Sequence, residues 1–256
     1  MPDSIAILMP AMLAGLLVLA THVPLGQMVL ARGIVFIDIA IAQVAALGVV
    51  AGHALLGGET QGLAAQACAA AAALLAAGFL AWTERRAGTS QEAIIGVVYV
   101  VAASAQIVLL GFDAHGAEHL KDLLVGQILW VAPRDLLPIA ALYALVLFAL
   151  RWGDLTRRRL FFYAVFAVTI TASVQLVGVL LVFASLIVPA LAARRLTTKT
   201  GRFIVGYVTG ALGYILGLSI SFITDAPTGA TIVCTLAATA VATTALSRKC
   251  LAPAPQ

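Results

Sequence analysis

Charged residues are scarce in this chain of 256 residues: 10% are Asp, Glu, Lys or Arg, whereas 62% are apolar. Soluble domains carry roughly 25% charged residues, and a soluble core of this length could not bury so much apolar surface. The scarcity of charge therefore excludes an ordinary soluble domain. It predicts one polytopic membrane domain over residues 1–256, without a linker or a second, soluble domain.

Several chemical signatures are also missing. The sequence has no G-x-x-x-x-G-K-[S/T] motif, so we expect no ATP site of its own. It has neither H-E-x-x-H nor G-x-S-x-G, the usual hydrolytic signatures, so we expect no enzyme. The three cysteines are scattered and predict neither a metal site nor a disulfide framework. The start, Met-Pro-Asp-Ser, lacks a basic segment, and no cleavable signal peptide is expected.

Long charge-free runs are what the chain does have. About 20 apolar residues suffice to cross a bilayer as a helix, and a helix satisfies its own backbone hydrogen bonds in lipid. We therefore predict an all-α membrane protein with eight or nine transmembrane helices. The runs cover residues 4–31, 39–58, 60–83, 93–112, 136–150, 160–193, 203–224 and 226–247.

The run 160–193 has 34 residues and would be about 51 Å long as one helix, against a hydrocarbon core of about 30 Å. Of the 15 Lys and Arg residues, 13 lie in one set of alternating loops, which the positive-inside rule makes cytoplasmic. Both ends of the run are in that set, so we predict two short, buried crossings with a turn near Gln175–Gly178. The N-terminus is then outside and the C-terminus inside. The net charge of +4 follows this topology and does not indicate a nucleic-acid partner.

The first run is too long for one straight crossing. It contains Pro24-Leu25-Gly26, and proline removes a helix donor and clashes with the preceding turn. We therefore expect the helix to break there. Broken helices often line the substrate path of transporters, although a tolerated kink is the alternative.

Asp38 is the one carboxylate near the interior of a predicted crossing. An intramembrane carboxylate is costly and is a functional candidate by default. The alternative is an interfacial residue that caps the helix, because Asp38 is only six residues from Arg32. Gln43 is the next polar group along this helix, and at a spacing of five the two share a face only approximately.

A second group of candidate ligands lies in a predicted external loop. If this loop is helical, His115, Glu118 and His119 lie on one face, at spacings of three and four. Two imidazoles and a carboxylate suit zinc, and binding should weaken below about pH 6.5, where histidine is protonated. A solvated loop without a metal is the alternative. The lone His22 and His53 are expected to have core or interfacial roles.

Four segments carry a family resemblance, in the same order along the chain. The block VGVLLVFASLIVPALAARR resembles the signature of the membrane permeases of zinc/manganese/iron ABC importers. The other segments are similar to further parts of that family: PLGQMVLARGIVFIDIAIAQVAALGV, HLKDLLVGQILWVAPRDL and FITDAPTGATIVC.

The resemblance implies a multi-pass protein of the bacterial inner membrane, with no cofactor of its own. It implies a homodimer surrounded by lipid, a separate pair of cytoplasmic subunits that bind ATP, and an external protein that delivers the metal. The family carries metal ligands in a Gly-Asp-x-x-x-His-Ala motif on the second helix. Aligned backwards from Gly48, that histidine falls on Gln43, and the aspartate is displaced by one residue onto Asp38.

The cytoplasmic segment before the signature block departs from the family pattern. It is short and lacks the acid-x-x-Ala-x-x-x-Gly pattern with which relatives dock on the ATPase. Docking through Asp154, Arg157 and Arg158 is one expectation, and docking through another loop is the alternative.

The sequence thus favours the permease of an ABC importer for a divalent transition metal, zinc first, with manganese and iron as alternatives. The rival from another class is a stand-alone secondary carrier or channel, which would need more intramembrane charge for ion coupling. A third interpretation, an intramembrane zinc protease using His115 and His119, lacks a third ligand and a buried site.

Overall fold

The computed structural model describes residues 2–56, 63–111, 128–152 and 158–251. These residues form nine α-helices, two short 3-10 helices and no strand. The α-helices are α1 (Pro2–Arg32), α2 (Ile37–Leu56), α3 (Leu63–Ala87), α4 (Gln91–Leu110), α5 (Pro133–Trp152), α6 (Arg159–Val177), α7 (Val179–Ala193), α8 (Lys199–Thr224) and α9 (Thr228–Leu251). Eight of them are long and apolar enough to cross a membrane, and α7, with 15 residues, is shorter. The predicted fold class is confirmed.

The helices pack as two groups that share a centre. Helix α2 packs against α3 and α4, and helix α1 packs against α7 and α8, with α9 on the outer side of α7 and α8. Helix α6 joins the groups, because it contacts α1, α2 and α3. Small residues at the contacts let the backbones approach closely, as is usual where lipid removes the hydrophobic driving force.

The predicted turn in the long apolar run is present at Gly178. This residue separates α6 from α7 and has φ 83°, a left-handed value that favours glycine. Its amide donates to the Val174 carbonyl over 2.8 Å, and its carbonyl accepts from the Val182 amide over 3.1 Å. Both helices are largely buried, as the sequence predicts.

The break expected at Pro24 is wrong, because α1 continues through it from Pro2 to Arg32. Proline is tolerated in a transmembrane helix when neighbouring groups support the backbone. Here Gly26 lies directly on α7, so close that a side chain at this position would overlap the Leu186 carbonyl. Helix α7 thus packs directly against the turn of α1 that follows Pro24.

Candidate metal-binding residues in the helical bundle

Asp38 lies in the first turn of α2 and is completely buried. Among the described residues, neither of its carboxylate oxygens has a hydrogen-bond partner. Burying an ionised carboxylate without a partner is strongly unfavourable. The expected alternative, an interfacial cap, does not fit a side chain that has no exposed surface. Asp38 is therefore a buried carboxyl group whose two oxygens find no hydrogen-bond donor in the part of the chain that the structure describes.

Gln43 is also buried but has a partner. Its Nε2 donates to Oε1 of Gln106 on α4 over 2.6 Å, and Gln106 is completely buried. The Nε2 atom of Gln106 has no partner within the described part of the chain. The two amides therefore join α2 to α4. The donor atom that Gln43 could offer a metal is its carbonyl oxygen.

Asp38 and Gln43 do not form one ligand set. At 3.6 residues per turn, a spacing of five residues turns the helix by about 140° beyond a full turn, and Gln43 faces α4. Within residues 2–56, 63–111, 128–152 and 158–251, no group of three or more His, Cys, Asp or Glu side chains could hold a metal ion. Asp38 and Gln43 are therefore separate candidate ligands within the described bundle.

His22 is another buried side chain with a nitrogen that has no hydrogen-bond partner among the described residues. It lies inside α1, completely buried, and its Nδ1 is 2.9 Å from the Val18 carbonyl. The proton is therefore on Nδ1, and the lone pair of Nε2 has no partner among the described residues. Of the two expectations for this histidine, the core position is observed. His53 lies in the last turn of α2.

The remaining candidates divide between described and undescribed segments. His115, Glu118 and His119 lie outside the described residues, as do Asp154 and Arg157. Arg158 directly precedes α6 and is exposed. The external cluster and the docking segment therefore remain predictions.

One end of the bundle is rich in arginine. Glu84 on α3 is 3.6 Å from Arg32 at the end of α1 and 3.6 Å from Arg159 at the start of α6. The Arg32 guanidinium also lies 4.1 Å from the centre of the Phe162 ring. These contacts hold the ends of three helices together. A cavity of about 700 Å³ opens here, and it is lined by Arg85, Arg158, Arg159, Leu160 and Phe161.

Two of these features escaped the sequence analysis. Gln106 is a polar residue inside a charge-free run, which is a signal that could have been read. Glu84 stands among basic residues after an apolar run and gave no indication that it would bridge two helices.

The sequence profile described as the ABC 3 transport family matches residues 4–158 and 154–247. The chain belongs to this family. The resemblance drawn from the four sequence segments is thereby confirmed. Membership in a transport family also agrees with the expectation that the chain is not an enzyme.

This ABC 3 family chain is similar to proteins whose names include a metal. It is 25% identical over 180 residues to the "Probable iron transport system membrane protein" of Haemophilus influenzae, a match that covers 62% of this chain and 64% of the relative. It is 27% identical over 234 residues to the "Manganese transport system membrane protein MntC" of Listeria monocytogenes, covering 82% of this chain and 79% of the relative. The match to the iron relative thus spans slightly less than two thirds of that protein.

A solved structure shares the fold of this ABC 3 family chain. It is that of PsaBC from Streptococcus pneumoniae in complex with a Fab, with a TM-score of 0.72 and 21% identity. The match covers 93% of this chain and 90% of that chain. At this identity the likeness concerns the arrangement of the helices.

Proposed function

We propose that the chain is the permease subunit of an ABC importer for a divalent transition metal, in a bacterial inner membrane. Two copies would form the translocation path, with lipid around them. A separate pair of cytoplasmic subunits would bind ATP, and an external binding protein would deliver the metal. Membership in the ABC 3 transport family supports this proposal, as do the iron and manganese named in the relatives.

The observation that carries the proposal is Asp38. A buried carboxylate without a hydrogen bond is unfavourable in a bundle whose only task is to be stable. A divalent cation that passes through the bundle would compensate this charge for the time of its passage. Asp38 is therefore the residue we assign to the path, with Gln43 as a weaker oxygen donor.

The topology we propose has the arginine-rich end in the cytoplasm, the N-terminus outside and the C-terminus inside. The ATPase would then approach the ends of α1, α3 and α6. Docking through Asp154, Arg157 and Arg158 is consistent with this arrangement, since Arg158 is exposed beside the start of α6. The external His115, Glu118 and His119 would meet the metal first.

The identity of the transported metal is a separate part of the proposal. The external histidines favour zinc, the first expectation from the sequence. Inside the bundle, however, the candidate donors Asp38 and Gln43 offer oxygen, and oxygen ligands suit manganese better than zinc. We therefore place manganese before zinc for the inner path, and we keep iron as a candidate because a relative is named for it.

Uptake into vesicles tests the function. The chain would be reconstituted with and without the partner ATPase and ATP, and labelled manganese would be measured with zinc and iron as competitors. Uptake that requires both ATPase and ATP is the expected result, and the competition then ranks the metals. Uptake by the chain alone, independent of ATP, would contradict the proposal and favour a stand-alone carrier or channel.

The external metal site has its own test. Replacing both His115 and His119 with alanine should raise the metal concentration needed for half-maximal uptake. His53→Ala, which removes a different histidine, is the matched control. Uptake that is unchanged in the double variant would remove these residues from the proposal.

A further inference from the structure

A second cavity lies at the end of the bundle opposite the arginine-rich end. It has a volume of about 330 Å³ and lies where α8 turns into α9, beside the start of α1 and the 3-10 helix Ile128–Trp130. We call it the α8–α9 pocket. Its walls include the apolar side chains Leu8, Leu129 and Phe222, and its charged group is Asp225. The topology proposed above places this pocket outside the cell.

Asp225 has an unusual backbone conformation and no side-chain bond to another described residue. It has φ 53°, the left-handed region that few residues other than glycine, asparagine and aspartate adopt. The turn around it is held by Ser221, whose hydroxyl donates to the Ala226 carbonyl over 2.8 Å and lies 2.7 Å from the Thr228 hydroxyl. Among the described residues no hydrogen bond or ion pair reaches the Asp225 carboxylate. The hydrogen-bonded turn therefore presents one exposed carboxylate, without a partner among the described residues, to the pocket.

Trp130 adds a second group that attracts cations. It lines the same pocket and is 83% exposed. The face of an indole ring is the best of the aromatic rings for binding an ammonium or guanidinium ion. The described cation that follows it in the chain, Arg134, is already 3.8 Å from Asp135. The pocket thus offers a cation both a carboxylate and an exposed indole ring.

The shape and the walls define what kind of cation fits. A bare metal ion would find a single carboxylate here, which is too few ligands. Lysine and arginine combine an aliphatic stem with a charged head. The stem would lie along Leu8, Leu129 and Phe222, while the head reaches Asp225 and Trp130.

We infer that the α8–α9 pocket receives a lysine or arginine side chain of an external protein partner, with Asp225 as its counter-ion. In the transport cycle that partner is the binding protein that delivers the metal, a step that rests on the proposed function. The contact would orient the partner over the external end of α1, α8 and α9.

A small probe tests the pocket without the partner. The full chain in lipid nanodiscs, with Trp82→Phe and Trp152→Phe, leaves Trp130 as the only tryptophan for a fluorotryptophan NMR signal. Butylguanidinium should shift this signal, whereas butylurea, which is uncharged and nearly the same shape, should not. Asp225→Asn, which tolerates the same backbone conformation, should weaken butylguanidinium binding about tenfold or more. Asp135→Asn, which removes a negative charge outside the pocket, should leave it unchanged.

Three outcomes would overturn the inference. Equal shifts with butylurea would show an apolar pocket that a lipid chain could fill. Binding that survives Asp225→Asn would remove the counter-ion. Binding that strengthens when Lys121 is changed to Gln would show that the occupant is a lysine of the chain itself.

The partner is tested separately. The affinity of the external binding protein for nanodiscs should fall about tenfold with Asp225→Asn and not with Asp135→Asn. If wild-type vesicles import metal but this affinity does not change, the inference fails and the proposed function stands. If wild-type vesicles import nothing, the proposed function fails while butylguanidinium still reports on the pocket.

Discussion

Asp38 and Gln43 lie five residues apart on α2 and are both buried, but they differ in their hydrogen bonding. Gln43 has a protein partner in Gln106, whereas Asp38 has none among the described residues. A polar group with a partner stabilises the bundle, and a charged group without one weakens it. The difference teaches that burial alone does not identify a functional residue. The unused bonding capacity of Asp38 is what makes it the candidate.

The largest effect expected is that of Asp38→Asn. Uptake should fall by about 100-fold, the upper end of what losing a supporting group costs at a metal site. Stability should stay within about 1 kcal/mol of wild type, because a buried polar group without a partner is exchanged for another of nearly the same shape. Vesicle uptake and thermal unfolding measure the two quantities, with the exposed Asp135→Asn as control. Uptake within about twofold of wild type would end the assignment of Asp38 to the path.

Gln106→Leu should affect the stability of the protein more than its uptake of metal. It leaves the Gln43 amide buried without its partner, and the free energy of unfolding should fall by about 1–2 kcal/mol. Combining it with Gln43→Leu should restore part of the loss, because both polar groups are then gone. Unfolding of the two single variants and the double variant would measure the coupling. Strictly additive losses would show that the amides do not depend on each other.

Gln43→His tests whether this helix position also meets the metal. Imidazole favours zinc relative to an amide oxygen, so the preference for zinc over manganese should rise several-fold, up to about tenfold. Competition between the two metals during ATP-driven uptake is the measurement, and Gln43→Leu, which offers no donor, is the control. An unchanged preference would restrict Gln43 to its structural role between α2 and α4.

Glu84→Gln gives the smallest effect and extends the comparison to a carboxylate that does have cationic partners. Glu84 lies near Arg32 and Arg159, and its side chain is 17% exposed. Loss of its charge should lower stability by about 0.5–1 kcal/mol, as for partly solvated ion pairs. For Asp38→Asn, which breaks no ion pair, no such loss is expected. Unfolding at low and high salt would check it, and a stabilised Glu84→Gln would break the contrast.

Much of the fold could be predicted from charge alone. The distribution of arginines required a turn in the run 160–193, and Gly178 provides it with a positive φ. The continuity of α1 through Pro24 could not be predicted, and neither could the close approach of α7 to Gly26. Local sequence contains no information on that distance.

The candidate site was predictable only in part. The sequence indicated Asp38 by its charge, but it could not distinguish an exposed cap from a buried group. That difference arises from the helices that cover the start of α2. The partner of Gln43 lies 63 residues further along the chain, so the pairing of the two amides required the packing of α2 against α4. The histidine cluster around His115 stays a prediction, since it lies outside the described residues.

Because helices are synthesised in chain order, α1 is made long before the helices that it packs against. The main neighbours of α1 are α7 and α8, and the Tyr207 hydroxyl of α8 reaches back to the Leu16 carbonyl over 3.3 Å. Helix α7 begins about 150 residues after α1 ends. At about 5–20 residues per second, a ribosome needs roughly 7–30 s to supply it. For that interval the newly inserted α1 must remain in the bilayer without α7, which later covers the surface around Gly26.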